Sequence, residues 1–239
     1  MVGERAFDQV APAYAARYGG DPAARALGVR LYQELERHLS PGAQILDVGC
    51  GPGTHAIPLA QAGFRVMALD LAAQMITEVE RRAAEAQLSI ETRHGPVEGL
   101  PSSPRYDAAI AIHGPFNYDL DPQPLASAIH RVLAPGGRLW IGAPRAASFK
   151  QLLRHPRRGL APLLRSPRAH EAQLEGQTFT VHLWDPRTLA RCLAPWFELE
   201  HFEASTLGFG DGWLNEWPGL RHLGHSSLIR LARLPAGGA

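Results

Sequence analysis

The residues with the clearest capacity for chemistry lie between positions 45 and 70, in the stretch ILDVGCGPGTHAIPLAQAGFRVMALD. An apolar run carries Asp47, then Gly49, Gly51 and Gly53 follow at alternate positions, and Asp70 closes a second apolar run. Glycine gives up more backbone freedom on folding than any other residue, so such a cluster implies a place where a ligand meets bare main chain. A plain turn would need only one. The spacing is not that of a dinucleotide fingerprint, because Thr54 stands where its last glycine would fall. Asp70 could accept hydrogen bonds from ribose hydroxyls in either nucleotide class. Asp47 discriminates: a carboxylate before the first glycine would repel a pyrophosphate and attract a cationic amino-acid tail. The ligand chemistry that answers this is S-adenosylmethionine, with S-adenosylhomocysteine as its product.

Other chemistries drop out on residue type. Lys150 is the sole lysine, and SFKQ around it is neither a Walker loop nor a Schiff-base setting. HEAQL at His170 lacks the second histidine of a zinc helix, and no thiolate pair exists. GHSSL at Gly224 lacks the closing glycine of a nucleophile elbow. No metal is expected. The net charge of +1 and pI near 8.0 demand neither nucleic acid nor a membrane as partner. The cysteines, Cys50 and Cys192, form no framework, which with the absence of a leader-like start or a long apolar run predicts a cytoplasmic protein.

The elements that must position the glycine loop can be read around it. DPAARALGVRLYQELERHL spaces Leu27, Leu31, Leu35 and Leu39 four apart, one apolar stripe of a helix with Asp21 as cap and Pro22 in its first turn. AQILDVG and FRVMALD read as buried strands, with a helix over 54–62 between them. AAQMITEVERRAAEA is a helix whose Met75, Ile76 and Val79 face inwards. LSIETRH and the almost wholly apolar YDAAIAIHG are further strands, the latter central in a sheet covered on both faces. PQPLASAIHRVLAPGG is a helix with a strong stop, and RLWIGAP the next strand. This rhythm predicts an α/β chain with a doubly wound, mainly parallel sheet. Later, TFTVHLW reads as a strand, DPRTLARCLAPW as a helix capped by Asp185, and FELEHFEASTLG and HSSLIRLARL as the last strands.

With those motifs in order, the chain resembles the class I S-adenosylmethionine-dependent methyltransferases. ILDVGCGPG is similar to their first motif, VMALDLAAQMI to the segment that holds the ribose, and YDAAIAIHG and VLAPGGRLWI to the fourth strand and the turn into the fifth. FDQVAPAYAARY is similar to a leader found in small-molecule members. The resemblance covers about residues 5–144 plus DPRTLARCLAPWFELE. It implies a Rossmann-like sheet of seven strands with the last antiparallel. It also implies a cofactor site that includes Cys50, Gly53 and Pro96 and in which Asp47, Gly49 and Gly51 meet the amino-acid part, Asp70 the ribose, and Leu71, Met75 and Val97 the adenine. The family often places an acid after the third strand for the adenine amino group. Pro96 stands there instead, with Glu98 two positions later, leaving the Val97 backbone to meet the ring.

Around the transferable methyl group, His113 is expected to be cofactor-binding, either as a general base suited to neutral pH or as a backbone-contact position whose side chain only packs. Phe116, Asn117 and Tyr118 would supply an aromatic floor and a polar handle for the acceptor. Tyr14 and Tyr18 either close over the cofactor or dock a helix. Trp213, in the glycine-rich 208–224 loop, either lines a flat acceptor or packs within its loop. The 145–176 insertion, RAASFKQLLRHPRRGLAPLLRSPRAHEAQLEG, is rich in arginine and holds no acid through residue 170. A lid helix with a solvated basic face is the favoured reading, an RNA-binding patch the other. The expectation is one domain over 1–239, with a cap segment over 1–40 and these two elaborations, methylating oxygen or nitrogen of a small molecule. A nucleic-acid methyltransferase and a cofactor-binding protein without catalysis stand as alternatives. The oligomeric state is not legible.

Overall fold

The computed structural model describes residues 22–118, 120–144, 167–174, 177–206 and 226–235. Tyr14, Tyr18, Trp213 and most of the arginine-rich insertion lie outside the described residues. Helix α1 (Pro22–His38) turns Leu27, Leu31 and Leu35 fully inwards, as their spacing predicts. There follow β1 (Gln44–Val48), α2 (Ala56–Gln61), β2 (Arg65–Asp70), α3 (Ala73–Glu85), β3 (Glu91–His94) and β4 (Tyr106–Ile112). Then come α4 (Gln123–Val132), β5 (Leu133–Pro144), β6 (Arg168–Leu174), β7 (Gln177–Leu183), α5 (Pro186–Leu193), β8 (Phe197–Thr206) and β9 (Ser226–Arg233). The Asp185 carboxylate caps α5, accepting the Thr188 N–H at 3.1 Å.

A 7-stranded sheet runs β3-β2-β1-β4-β5-β9-β8. Neighbours from β3 to β5 are parallel, while β9 pairs antiparallel with both β5 and β8. The expected α/β sheet, mainly parallel with an antiparallel last strand, is what forms. Strand β4 lies at its centre, and Ala108 to Ile112 are buried because apolar clusters cover both faces. One cluster packs Phe116, Ile129, Trp184, Leu189 and Phe197 with β4 and β5. The other packs Leu27, Leu31 and Leu35 against Ile45, Ile110 and Trp140.

One expectation is corrected. The end of the insertion is not part of a helix: Arg168–Leu174 is β6, paired antiparallel with β7 in a separate 2-stranded sheet. Alanine, glutamate and glutamine in RAHEAQL favour helix, but the pairing with Phe179, Val181 and Leu183 overrides that weak preference. The hairpin abuts the single 3-10 turn at Pro115–Asn117 that follows β4.

Candidate functional site

Strand order reverses between β1 and β4, and in an open α/β sheet ligands bind beyond the carboxyl ends of the strands at such a switch point. A cavity of about 530 Å³ opens there, within the range of small-molecule sites. The turns after β1, β2, β3 and β4 all contribute to its wall, which includes Gly49, Gly51, Asp70, Leu71, Met75, Pro96, Val97, His113 and Tyr118.

The glycine loop owes its shape to both its own residues and a distant proline. Gly49, Gly51 and Gly53 have φ of 65°, 53° and 81°, in the left-handed region. A Cβ on Gly49 would stand 2.6 Å from Pro115 Cγ, so the two strand ends touch through bare backbone. Asp70 ties the loop down: its Oδ2 accepts the Gly51 N–H and its Oδ1 the Ala72 N–H, both at 2.9 Å. The side chain expected to reach ribose therefore also sets the loop that would cradle the ligand.

Asp47 is 1% exposed, and its Oδ2 has no hydrogen-bond partner. It accepts the N–H of Ala56, the first residue of α2. Burial, reinforced by the Asp70 carboxylate, pushes its pKa up to about 8 despite that bond. The same burial, with Asp47 and Asp70 adding to it, raises the Cys50 thiol well above its usual range and leaves it inert. An open buried carboxylate oxygen beside a glycine cradle is the group that a cationic ligand tail completes. Among the described residues no lysine or arginine lines the cavity, and a pyrophosphate would meet two acids there, Asp70 and Glu98. These residues fit S-adenosylmethionine and not a dinucleotide.

His113 lies directly after β4 with φ of 57°, unusual for any residue but glycine. Its N–H donates to the Gly142 carbonyl at 2.7 Å, and the ring forms part of the cavity wall. Strain of this kind is held only where the surroundings impose it, and it clusters at functional sites.

The expected acceptor residues divide. Tyr118 lines the cavity and is 41% exposed. Phe116 and Asn117 do not line it: both are 2% exposed and lie beneath. The Asn117 amide donates to the His182 carbonyl at 2.6 Å, and the Phe116 carbonyl accepts from Trp184 Nε1 at 2.7 Å. They clasp the β6–β7 hairpin to the end of β4, a role the sequence reading missed because the partners are 65 and 68 residues away. Asp47, Cys50 and Gly53 stand behind the cavity wall, whereas Pro115, Leu125 and Glu98, none of them expected in the site, form part of it. The glycine spacing hinted at Pro115 only in that something must press close to Gly49.

Comparison with known proteins bears on the same stretch. Residues 45–137 match the family model described as a methyltransferase domain. The chain is 34% identical over 114 residues to a ubiquinone biosynthesis O-methyltransferase from Xylella fastidiosa (strain 9a5c), covering 47% of this chain and 46% of that protein. A protein of the same name from Xanthomonas campestris pv. campestris (strain B100) is 32% identical, with 47% and 48% covered. The chain thus spans about half the length of the curated relatives it matches. Among solved structures, magnesium protoporphyrin IX methyltransferase from Synechocystis PCC 6803, with bound S-adenosylhomocysteine, has a TM-score of 0.66. It is 16% identical, with 98% of this chain and 99% of that one covered. A methyltransferase from Methanosarcina mazei has a TM-score of 0.62 at 22% identity, with 84% and 96% covered. These two likenesses concern the fold. Residues 45–137 are thus similar to a methyltransferase domain, and the fold around them is shared with solved methyltransferases.

Proposed function

We propose that the protein transfers a methyl group from S-adenosylmethionine to an oxygen or nitrogen of a small molecule. The observation that carries this reading is the cavity at the switch point, where a glycine loop faces Asp70 and Glu98 and the unpartnered oxygen of Asp47 lies behind the wall. Asp47 would hold the cofactor's ammonium group and Asp70 its ribose, while Leu71, Met75 and Val97 would enclose the adenine. Glu98, on the cavity wall, would accept from the adenine amino group, the role for which Pro96 has no side-chain group.

Bound there, the cofactor supplies a sulfonium methyl that is already activated and departs as S-adenosylhomocysteine. The chain's task is then to hold the acceptor in line and to exclude water, effects that together supply about 7–11 kcal/mol of a barrier. Tyr118 and His113 form the wall on the acceptor side, and the clasped β6–β7 hairpin stands behind them. An acceptor that must lose a proton would give it to the His113 imidazole, a contribution of about 10²–10⁴-fold in rate. We read residues 1–239 as one domain, and the free cysteines Cys50 and Cys192 as those of a cytoplasmic protein. No helix among the described residues is long and apolar enough to cross a membrane.

Calorimetry tests the reading at its first step: S-adenosylhomocysteine should bind more tightly than NAD, and the reverse order would sink it. Labelled methyl transfer into a fractionated cell extract then identifies the acceptor.

A further inference from the structure

Behind the glycine loop is a second polar cluster that no part of the proposed reaction uses. The Tyr32 hydroxyl of α1 lies 3.2 Å from His55 Nδ1 and 3.5 Å from the Thr54 carbonyl. The two rings meet edge to face, 6.1 Å between centroids. His55 is 8% exposed and immediately precedes Ala56, whose N–H holds one oxygen of Asp47. Burial and the neighbouring His113 lower His55 to about 3, while burial and Asp47 raise Tyr32 to about 12. Both are therefore uncharged near neutrality, joined by a hydrogen bond whose direction the His55 tautomer sets. The chain of contacts runs unbroken from α1 to the open carboxylate oxygen: Tyr32, His55, the Ala56 N–H, Asp47.

We infer that Tyr32 and His55 are positioning residues for the cofactor's cationic end, fixing the first turn of α2 so that Asp47 presents one oxygen to the ligand. The inference rests on the methyltransferase reading above. It explains why a histidine and a tyrosine are buried beside an acid without an ion pair: the pair contributes rigidity at that corner without adding a charge to compete for the Asp47 carboxylate. The ionisable groups facing Asp47 are Tyr32 from α1, Cys50 from the glycine loop and Asp70 from β2, with His55 and His113 flanking them. Tyr32, Cys50 and His55 are held uncharged near neutrality and Asp70 is an acid, so none of these four supplies a cation and the ammonium of the ligand is the counter-ion that the Asp47 carboxylate awaits.

The test is the affinity for S-adenosylhomocysteine by calorimetry, measured for Tyr32→Phe and His55→Gln, each alone and combined with Asp47→Asn. Each single change should weaken binding roughly three- to tenfold, the worth of one or two buried hydrogen bonds. In the Asp47→Asn background the same changes should add nothing, because the route through Asp47 is already cut. For the wild type, affinity should rise with pH through about 8 as Asp47 ionises, and in His55→Gln the inflection should move down as water reaches the carboxylate. A pair that merely stabilised the fold would lower the melting temperature and weaken binding equally in both backgrounds, with the inflection unmoved. That result, or undiminished binding by both single variants, overturns the inference while leaving the cofactor reading intact. Failure of the wild type to bind removes both. Tyr32→Phe deletes one oxygen only and keeps the test available if His55→Gln does not fold.

Discussion

The two sides of the sheet hold their functional residues by different means. From β3 to β4 the strands are parallel and the site is made of main chain: glycines at positive φ, and a carboxylate that grips N–H groups of the loops beside it. The hydrogen-bonded partners are near in sequence, as with Gly51 and Asp70, 19 residues apart, and Pro115 is the distant contact. Beyond β5 the contacts span long separations. Trp184 reaches Phe116, Asn117 reaches His182, and Arg230 of β9 pairs with Glu34 of α1, 196 residues away. The cofactor side is thus a backbone device that a local pattern can specify. The side we propose for the acceptor is a set of clasps between distant segments, joined to the first at the Pro115–Asn117 turn. Changes on the cofactor side should weaken or abolish ligand binding, and changes on the proposed acceptor side should lower stability while leaving cofactor affinity alone.

The largest effect should come from Gly49→Ala. Its Cβ would stand 2.6 Å from Pro115 Cγ at a φ of 65°. A left-handed non-glycine residue costs about 1–2 kcal/mol and an overpacked contact about 1–3 more. Loss of measurable S-adenosylhomocysteine binding, with a stability loss of about 2–5 kcal/mol by denaturant titration, is the expected outcome. Retained affinity would show that the loop is not a rigid cradle, and the comparison would fail on its firmer side.

The next test is pH, because burial at the proposed cofactor side favours the uncharged forms of two titratable groups. Asp47 is raised from 3.8 to about 8, so the stability it contributes is full below 3.8 and is lost as pH climbs towards 8. His55 is lowered from 6.5 to about 3, so its contribution is full above 6.5 and is lost as pH falls towards 3. Each slope reaches at most about 1.4 kcal/mol per pH unit. Between 3.8 and 6.5 the two oppose one another; from 6.5 to 8 only Asp47 acts. Melting curves of Asp47→Asn against wild type should diverge on the alkaline side, the variant losing less stability there, and His55→Gln should do the same on the acid side. Parallel curves would mean that these groups are solvated.

This asymmetry also governs what could be read from the chain alone. The parallel strands in outline, the α3 face of Met75, Ile76 and Val79, the Asp185 cap and the left-handed glycine turn all follow from periods and local chemistry, although β3 begins only at Glu91 and the expected stop LAPGG is the start of β5. The roles of Phe116 and Asn117 were not legible, because nothing near GPFNY announces a tryptophan and a carbonyl more than sixty residues on. The hairpin was missed for a related reason: RAHEAQL is strand only by virtue of its partner. Tyr32 was hidden too, since it falls off the leucine stripe of α1 and its partner lies on another element.

A moderate effect is expected from Trp184→Phe. The indole is 3% exposed, and its Nε1–H is the donor to a buried Phe116 carbonyl. Removing it leaves that acceptor unpaired, at about 1–3 kcal/mol, and leaves a small void besides. Stability should fall by that order, with S-adenosylhomocysteine affinity within twofold of wild type. A parallel loss of affinity would mean that the clasp and the cradle are one unit, and the two-sided description would have to be given up.

The smallest effect belongs to the charges that fasten α1 to the antiparallel edge. Glu200 accepts from Arg138 at 2.9 Å and from Arg230 at 2.8 Å; Arg230 also pairs with Glu34, and Arg30 with Glu203 at 3.3 Å. The chain of ions crosses from β5 through β8 and β9 to the helix that carries Tyr32. Its length invites the idea that it anchors the cofactor corner. The magnitudes argue otherwise. The Glu200 side chain is 26% exposed and that of Arg138 31%, so water and salt screen them, and pairs of this kind are worth about 0.2–1 kcal/mol. The fully buried Leu27, Leu31 and Leu35 hold α1 with about 1.5–3 kcal/mol each. Glu200→Gln should therefore lower stability by less than about 1 kcal/mol at low salt, a difference that shrinks in 1 M salt. Cofactor affinity should not change. Should Glu200→Gln weaken S-adenosylhomocysteine binding severalfold in a salt-dependent way, the ion chain would be part of the cofactor corner after all, and the boundary between the two sides would move from β5 to the helix.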